Sequence, residues 1–550
     1  MLYKDICKIL GYYLFGLAIA LSIPFFLAAY FQFGADPSTH PQPHTTIDFF
    51  WSILACLALA GICRYIGRHS KGNLYRREGL VTVVIIWFLT PAIAGLPFYL
   101  SKTLEDPFHA YFEATSGFTT TGATTMQAKK YDPDTGDEIP IRKTFYGTHT
   151  TVYSYWGTIT PVRDSKTNEI LYEGIEAVSK ALLFWRSFTQ WLGGMGIVLL
   201  FVAILPVLGV GGKVLFQAEV PGPIKDSLTP RIKETASQLW KIYVGLSILQ
   251  VILLMVTNHD LDWFDAITIT FSTVSTGGFT AKTASIGAFN NVYTDWIIIA
   301  FMILAGINFS LYFYSLRGKF YRIYEPEFFL YLFLILFSSG LVVYFLVGTD
   351  KIPRLGETEG VFSLEESIRY GTFQLVSAMT TTGFVTKDYD LWPATIQALM
   401  LIIMFVGGMS GSTAGGMKVA RPYMLFYIAK YKVESLFRPE TVRRQKLGKR
   451  EIDTGSAIMV LCYFLIVISI AVSSTFIFIV DGIDPQSALS LVTLLINNIG
   501  IGFRMAAPTE SFAFLSDFGL IFSSLLMVFG RLEFLAVLAV MVPAFWQQNK

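Results

Sequence analysis

Thr380-Thr381-Thr382-Gly383-Phe384 is one of four glycine-centred stretches, each of which follows a short amphipathic segment and precedes a long apolar one. The other three are Thr119-Thr120-Thr121-Gly122-Ala123, Val274-Ser275-Thr276-Gly277-Gly278 and Asn497-Asn498-Ile499-Gly500-Ile501. Four such stretches in one chain can surround a single axis. Their carbonyl oxygens can then replace the hydration shell of an alkali cation, because glycine permits the backbone angles that aim them inward. The pattern therefore predicts a potassium pore folded from one polypeptide.

We expect three residues of each stretch to form the ion-binding filter. They are Thr120, Thr121, Gly122, Ser275, Thr276, Gly277, Thr381, Thr382, Gly383, Asn498, Ile499 and Gly500. A single Thr/Gly stretch is usually a turn, but four copies in the same context favour a filter. Glycine at all four centres favours K⁺ over Na⁺, because a side chain there would distort the carbonyl ring.

The composition is that of an integral membrane protein. Of the 550 residues, 53% are hydrophobic and 15% are charged, and the mean hydropathy is +0.53, values far from those of a soluble domain. The apolar runs predict about ten spans. They lie at 9–33, 46–66, 79–101, 180–207, 237–257, 291–316, 324–347, 392–428, 454–480 and 512–546.

Four shorter segments have helical periodicity but cannot cross a membrane. They cover 104–118, 261–274, 364–379 and 485–495, and each runs into one of the glycine stretches. A half-helix that returns as non-helical backbone is allowed only where protein or a water-filled cavity surrounds it. The sequence therefore predicts an all-α membrane protein of four tandem repeats around one pore, each a spanning helix, a re-entrant pore helix, a filter and a second spanning helix.

The spacing of the glycines supports this repeat. Gly277 and Gly383 are 106 residues apart, whereas Gly122 and Gly277 are 155 apart. The longer interval contains a polar stretch at 127–175, and removing these 49 residues leaves 106. The first repeat is thus the same unit with an insertion. We expect two extra N-terminal spanning helices at 1–72, followed by repeats at 73–235, 236–322, 323–452 and 453–550.

The distribution of Lys and Arg predicts the orientation. The connections at 64–77 and 418–450 are rich in basic residues, whereas the loop at 34–45 has no Lys or Arg. The basic connections should be cytoplasmic. This places both termini in the cytoplasm and the insertion outside.

A glycine-rich segment interrupts the eighth predicted span at 407–418. Five glycines in twelve residues will not hold a helix, since each costs about 1 kcal/mol relative to Ala. A phosphate-binding loop is excluded, because Met417 stands where the motif needs Lys. A flexible linker is the alternative, but linkers lie outside membranes. We therefore predict a mobile gating loop under the filter, with these gate residues: Gly407, Gly408, Ser410, Gly411, Ser412, Thr413, Gly415, Gly416 and Lys418.

Arg531 lies in the last predicted span. A charge at this depth costs at least about 2.5–3.5 kcal/mol, so it should face the pore or a partner. We predict an electrostatic barrier below the filter that belongs to the gate, and pairing with Glu533 is the structural alternative. Glu113, Arg186 and Asn308 are also polar in apolar surroundings, and we expect them to pack helices or brace the filters.

Several of these segments resemble the Trk/Ktr/HKT superfamily of potassium transporters, and most closely its Trk-type membrane subunits. They are Phe184-Trp185-Arg186-Ser187-Phe188-Thr189-Gln190-Trp191-Leu192-Gly193-Gly194-Met195-Gly196, Ser272-Thr273-Val274-Ser275-Thr276-Gly277-Gly278-Phe279, the segment 407–418 and Gly530-Arg531-Leu532-Glu533. The resemblance implies K⁺ uptake across the inner membrane of a bacterium, a gating loop at 407–418 and a pore arginine at Arg531. It also implies a homodimer controlled by a cytoplasmic subunit with nucleotide-binding domains. No bound cofactor and no nucleic acid partner are expected.

Two features depart from the family pattern. Ile501 follows the fourth glycine, where the family usually has proline, and this affects fine selectivity. The insertion at 127–175 is the second departure. The sequence gives no functional account of it and leaves open whether it covers the outer mouth or a dimer edge.

Two other functions stay open at this point. K⁺ uptake coupled to Na⁺ or H⁺ is the nearer alternative, although the spans show no row of carboxylates for a proton relay. An intramembrane enzyme is the alternative from another class. It would need a nucleophile–base pair or a metal cluster at membrane depth, and the six histidines all lie in or near loops.

Overall fold

The structure of the protein is a computed structural model. It describes residues 3–36, 40–70, 76–145, 150–164, 166–196, 232–351, 360–437, 446–447, 450–451 and 454–547. The part of the predicted span at 180–207 that follows residue 196 lies outside these residues, and so do residues 438–445 and 448–449 of the basic 418–450 connection.

The chain is predominantly helical, as expected from the sequence. The helices of the first half are α1 (Tyr3–Phe33), α2 (Thr46–Gly67), α3 (Arg76–Ala94), α4 (Leu96–Leu100), α5 (Pro107–Phe118), α6 (Lys180–Gly194), α7 (Ile232–Thr257), α8 (Trp263–Val274), α9 (Val292–Ala305) and α10 (Phe309–Leu316). Those of the second half are α11 (Pro326–Leu346), α12 (Leu364–Met379), α13 (Ala394–Met404), α14 (Ala420–Phe437), α15 (Thr454–Val480), α16 (Pro485–Asn497), α17 (Asp517–Arg531), α18 (Leu535–Met541) and α19 (Pro543–Trp546).

Strands occur only as short antiparallel pairs in the part of the chain that the structure describes. The insertion contains β1 (Lys130–Tyr131) with β2 (Glu138–Ile139), β3 (Ile141–Phe145) with β4 (Thr151–Tyr155), and β5 (Val162–Arg163) with β6 (Ile170–Tyr172). A further pair, β7 (Lys446–Leu447) with β8 (Arg450–Glu451), follows α14.

The four short helices expected before the glycine stretches are present. They are α5, α8, α12 and α16, and side chains cap the starts of α5, α12 and α16. Asp106 and Asp484 each accept a backbone N–H and precede a proline, while Ser363 and Glu366 form a capping box before α12. Such caps satisfy the free N–H groups of a first turn.

Packing between the repeats is circular. The helix that follows each filter packs against the pore helix of the next repeat: α6 on α8, α9 on α12, α13 on α16, and α17 back on α5. The extra helices α1 and α2 pack on each other, and α1 also contacts α3 and α6. The repeats therefore enclose a common axis, with the N-terminal pair attached beside the first.

The predicted spans are not all single helices. Among the described residues, six helices are long and apolar enough to cross a membrane, or seven if the bent pair α9 and α10 is counted as one span. The helices after the second, third and fourth glycine stretches are interrupted. α9 and α10 meet at 92°, and the predicted span 512–546 breaks after Arg531, where Glu533 and Phe534 have left-handed backbone conformations. The break at 405–419 agrees with the expectation that the glycine-rich segment is not helical.

Candidate functional site

The four glycine stretches meet as a closed ring. We name them filter 1 (119–123), filter 2 (275–279), filter 3 (380–384) and filter 4 (497–501). A Cβ atom placed on each ring glycine would lie 3.0 Å or less from a backbone atom of the next filter: Gly122 against Gly277, Gly278 against Thr382, Gly383 against Gly500, and Gly500 against Gly122. The ring closes in chain order, and at these contacts it has no room for side chains.

The backbone conformation gives the register of the four filters. The same position is left-handed in each: Thr120 (φ 54°), Thr276 (φ 55°), Thr381 (φ 57°) and Asn498 (φ 53°). A left-handed β-branched residue is strained and persists only where its surroundings impose it, which is typical of functional sites. Two residues later, Gly122, Gly278 and Gly383 have φ values of 84°, 85° and 81°.

This register corrects the alignment of the second repeat. The N–H groups of Thr121, Gly277, Thr382 and Ile499 each bond to a carbonyl five residues earlier, so these four positions are equivalent. Gly278, and not Gly277, therefore corresponds to Gly122 and Gly383. Gly277 and Gly278 are adjacent, and sequence spacing alone cannot choose between them. The equal spacing of 106 residues, which was counted from Gly277, is therefore a coincidence.

Filter 1 is braced by a buried ion pair. Glu113 on α5 and Arg186 on α6 lie 2.8 Å apart, with side chains 0% and 1% exposed. The Glu113 carboxylate also accepts the N–H of Thr125 at 3.0 Å and the hydroxyl of Thr124. Arg186 donates to the carbonyl of Thr280 at 3.0 Å, beyond filter 2. The expected bracing role of these two residues is thus observed.

Filters 2 and 3 are braced by neutral side chains. Gln190 on α6 donates to the carbonyl of Gly277 at 2.6 Å and accepts the N–H of Phe279 at 3.1 Å. Ser377 on α12 donates to the carbonyl of Phe384 at 2.8 Å. Sequence reasoning did not single out these two braces. Their signal was a polar residue close to the end of a helix beside a filter.

The glycine-rich loop 407–418 lies against the side of the ring where the pore helices end. The N–H of Gly415 donates to the Thr381 hydroxyl at 2.6 Å, and the Thr413 hydroxyl donates to the carbonyl of Val274 at 3.0 Å. A Cβ atom on Gly415 would come within 2.6 Å of the Asn497 carbonyl. The loop thus touches filters 3 and 4 and the end of pore helix α8.

Further contacts anchor the loop at its ends and middle. The N–H of Gly407 donates to the carbonyl of Met417 at 2.9 Å, so the two ends pair. The N–H of Ser410 donates to the buried carboxylate of Glu327 at 2.6 Å. Asn308 begins α10 by accepting the N–H of Ser310 at 2.8 Å. The other predicted gate residues, Gly408, Gly411, Ser412, Gly416 and Lys418, lie in the same loop, which is buried apart from the half-buried Gly411.

Arg531 joins the loop to the ring. Its guanidinium donates to the carbonyls of Gly193, Gly194 and Thr413 at 2.7, 2.8 and 2.9 Å, and to the Thr120 hydroxyl at 3.1 Å. Two of these carbonyls end α6, where the helix dipole favours a positive charge. Glu533, two residues further on, forms an ion pair with Arg421.

Comparison with known proteins gives the family. The family model described as TrkH, cation transport protein, matches residues 164–548. This chain belongs to the TrkH family. Among its relatives, the Trk system potassium uptake protein TrkH of Escherichia coli K12 is 32% identical, with the full length of both chains covered. The protein of the same name from Halomonas elongata is 33% identical over 88% of each chain.

A solved TrkH structure agrees with the fold. The crystal structure of the potassium transporter TrkH from Vibrio parahaemolyticus matches with a TM-score of 0.78 at 28% identity, and both chains are covered completely. The TrkH fold, an all-α membrane protein, is therefore confirmed by structure as well as by sequence. The resemblance to Trk-type subunits is confirmed with it. Because the family and the relatives are transport proteins, the enzyme alternative is excluded.

Proposed function

We propose that this chain takes up potassium across the cytoplasmic membrane through the ring of four filters. The closed ring is the observation that carries this proposal. It brings together four strained, glycine-centred backbones at the C-terminal ends of four pore helices, where the helix dipoles stabilise a cation. The membrane potential supplies about 2.3 kcal/mol per charge per 100 mV for inward movement.

The backbone carbonyls of the filters bind the ion in this proposal. The position equivalent in all four filters comprises Thr121, Gly277, Thr382 and Ile499, and the glycine after it gives the next carbonyl layer. Side chains at these positions differ between repeats, and a filter of carbonyls tolerates that. Potassium is the transported ion and no cofactor is required.

The loop 407–418 and Arg531 form the gate. In the structure the loop is bound to the ring, so this is a closed arrangement in the proposal. Opening requires the loss of the Gly415–Thr381 bond and of the Arg531–Thr413 bond. Arg531 also places a positive charge beside filter 1, which lowers the occupancy of a cation below the ring.

The remaining assignments rest on the resemblance to Trk-type subunits. We propose a homodimer in the bacterial inner membrane with both termini in the cytoplasm. A cytoplasmic partner with nucleotide-binding domains would act on the loop from that side. The basic connection at 418–450 is the natural surface for its contact, because it links the gate to the next repeat.

Uptake of radioactive rubidium into liposomes that hold the purified chain tests the proposal. We expect uptake that excess K⁺ abolishes and equal Na⁺ leaves largely intact. Arg531→Ala should raise the rate, because it removes both the charge and the bond to the loop. Uptake that Na⁺ and K⁺ inhibit equally would contradict the selective filter, whatever the rate of the Arg531 variant.

A further inference from the structure

The hairpin β3–β4 of the insertion rests on the outer side of the fourth repeat. Ile141 and Tyr155 of the hairpin pack with Met505, which is 0% exposed, in a small cluster separate from the main core. Tyr153 and Tyr155 also contact the Phe514 ring, with centroids 5.7 and 6.4 Å apart. The hairpin therefore covers the segment that leads away from filter 4.

Two polar contacts fix the hairpin in place. The Tyr153 hydroxyl donates to Asp484 Oδ1 at 2.7 Å and accepts the Asp484 N–H at 2.9 Å. Asp484 is the N-cap of α16, the pore helix of filter 4. Lys143 pairs with Glu510 at 2.8 Å, and the Glu510 side chain is only 6% exposed. The insertion thus contacts the fourth repeat at two places, at the start of α16 and in the segment between filter 4 and α17.

Arg504 connects the hairpin to the filter. It follows Gly500 by four residues and has a left-handed backbone with φ 58°. Its guanidinium lies 4.7 Å from the centroid of the Phe145 ring and 3.2 Å from Asp484. A cation held over an aromatic face and against a carboxylate is fixed in direction. The backbone N–H of Arg504 donates to the Asp390 carboxylate in the third repeat at 3.1 Å, so this bond joins the segments that follow filters 3 and 4.

Filter 4 is held by different bonds from its neighbours: Asn498 donates to the carbonyl of Met527 at 2.9 Å and to the Thr121 hydroxyl at 3.1 Å. In filters 1 and 3 two threonine hydroxyls bond across the turn at 2.8 Å, Thr119 with Thr121 and Thr380 with Thr382. Filter 4 has Asn497 and Ile499 at these positions, and the side chain of Ile499 cannot make this bond. Its outer strand is held from the pore helix by Ser490, which accepts the N–H of Phe503 at 2.7 Å.

We propose that the hairpin β3–β4 holds the outer mouth of filter 4 and so helps to set the selectivity of the pore. Tyr153 and Phe145 are positioning residues, which act through Asp484 and Arg504 and do not touch the ion. The inference rests on the proposed function, because it needs the ring to be the site of selection. It assigns a role to the insertion that the sequence left unexplained.

The test compares hairpin variants of the full chain in liposomes by rubidium uptake competed with K⁺ and Na⁺. Tyr153→Ala combined with Phe145→Ala should leave the maximal rate within about twofold, but raise the half-saturating K⁺ concentration about fivefold, the effect expected from roughly one lost hydrogen bond. Competition by Na⁺ should rise to a similar extent. Val152→Ala is the matched control, because Val152 is 58% exposed on the opposite face of β4.

Two single variants and one double variant can contradict the inference even where the alanine variant cannot be measured. Tyr153→Phe keeps the ring and removes only the hydroxyl, so it should give a smaller change in the same direction. Lys143→Glu should weaken K⁺ preference, and the added Glu510→Lys should restore it even if the alanine double variant fails to fold. Restoration would support docking, whereas unchanged preference in both Tyr153→Phe and Lys143→Glu would overturn it.

Gly383→Ser separates this inference from the proposed function. If Gly383→Ser loses K⁺ preference while all hairpin variants keep it, the filter stands and the role of the hairpin is wrong. If Gly383→Ser also keeps K⁺ preference, the ring does not select and both proposals fall.

Discussion

Filters 1 and 4 are neighbours in the ring, yet they are held in different ways. Filter 1 has a brace just after its last residue, where the buried ion pair of Glu113 and Arg186 holds Thr124 and Thr125. Filter 4 has no ion pair at the equivalent place among the described residues, and its outer segment is covered by a hairpin from the first repeat. The comparison shows that four similar backbones can be fixed by unrelated side chains, because the ring needs only the same backbone conformation at each position.

Breaking the brace of filter 1 should have the largest effect. Arg186→Ala leaves the buried Glu113 carboxylate without its charge partner, and losing one member of a buried pair costs about 3–5 kcal/mol. We expect a strong loss of thermal stability in detergent and of rubidium uptake. Lys180→Ala is the control, because Lys180 is half-buried at the start of the same helix. An Arg186→Ala protein with normal stability and uptake would show that the brace is dispensable.

Adding a side chain to one of the two glycines of filter 2 should have the next largest effect on K⁺ uptake. Gly278 has φ 85°, and its added Cβ would lie 2.2 Å from the Thr382 carbonyl, which is backbone and cannot move aside. The Cβ of Gly277 would instead meet the end of the Gln190 side chain at 2.4 Å. Left-handed backbone costs a residue with a side chain about 1–2 kcal/mol.

Gly278→Ala should therefore reduce K⁺ uptake and K⁺ preference more than Gly277→Ala does. The measurement is rubidium uptake competed by Na⁺ for both variants at matched protein amounts. The reverse order would return the second repeat to the alignment through Gly277.

Removing the internal support of filter 4 should have a moderate effect. Ser490→Ala leaves the buried N–H of Phe503 without its acceptor, at a cost of about 1–3 kcal/mol. Ser523→Ala is a matched control on α17, since its buried hydroxyl has no hydrogen-bond partner among the described residues. We expect Na⁺ competition to rise for Ser490→Ala only, and further when Tyr153→Phe is added. If Na⁺ competition is unchanged in Ser490→Ala and in the double variant, Ser490 and Tyr153 do not both support filter 4.

The pH dependence of hairpin docking should be the smallest effect. Burial alone would raise the pKa of the Asp484 carboxyl, but hydrogen bonds from Ser487 and Tyr153 outweigh it and lower the pKa below its ordinary value of 3.8. The contribution of the Asp484 carboxylate to hairpin docking is thus complete above pH 3.8 and is lost only as the pH falls through the lowered pKa. Burial raises the pKa of Tyr153 to about 12, so its hydroxyl stays protonated at any physiological pH.

K⁺ preference should therefore be the same at about pH 5.5 and pH 8, since neither group titrates between them. The check is the Na⁺ competition assay at both values, with Tyr153→Phe measured in parallel. A fall in K⁺ preference across this interval that disappears in the variant would contradict the assignment.

Much of the fold could be predicted from local sequence. The four pore helices are recognisable because each is a short segment of helical periodicity with a glycine stretch directly after it. The breaks in the second helices were harder to predict. Between α9 and α10 the chain turns by 92° within an apolar run, and the N–H of Phe309 donates to Gly411 of the loop. Such a break is stabilised by a segment about a hundred residues away, which local periodicity does not reveal.

The contacts of the site were less predictable for the same reason. The Glu113–Arg186 pair joins residues in different helices, and Gln190 reaches a filter in the next repeat. The choice between Gly277 and Gly278 depends on backbone angles. The docking of the insertion depends on Tyr153, whose position in a polar stretch resembled that of any exposed loop residue. In each case the residue type was visible, but its partner was fixed only by tertiary structure.

The most direct test of the central claim is to locate the ion. A crystal structure of the full chain grown in rubidium, measured at the rubidium absorption edge, would show bound ions by anomalous scattering. The account predicts a peak on the axis of the ring, coordinated by carbonyl oxygens of Thr121, Gly277, Thr382 and Ile499 or of the glycines that follow them. Well-ordered filters without a peak on that axis, or rubidium bound only elsewhere in the chain, would contradict it.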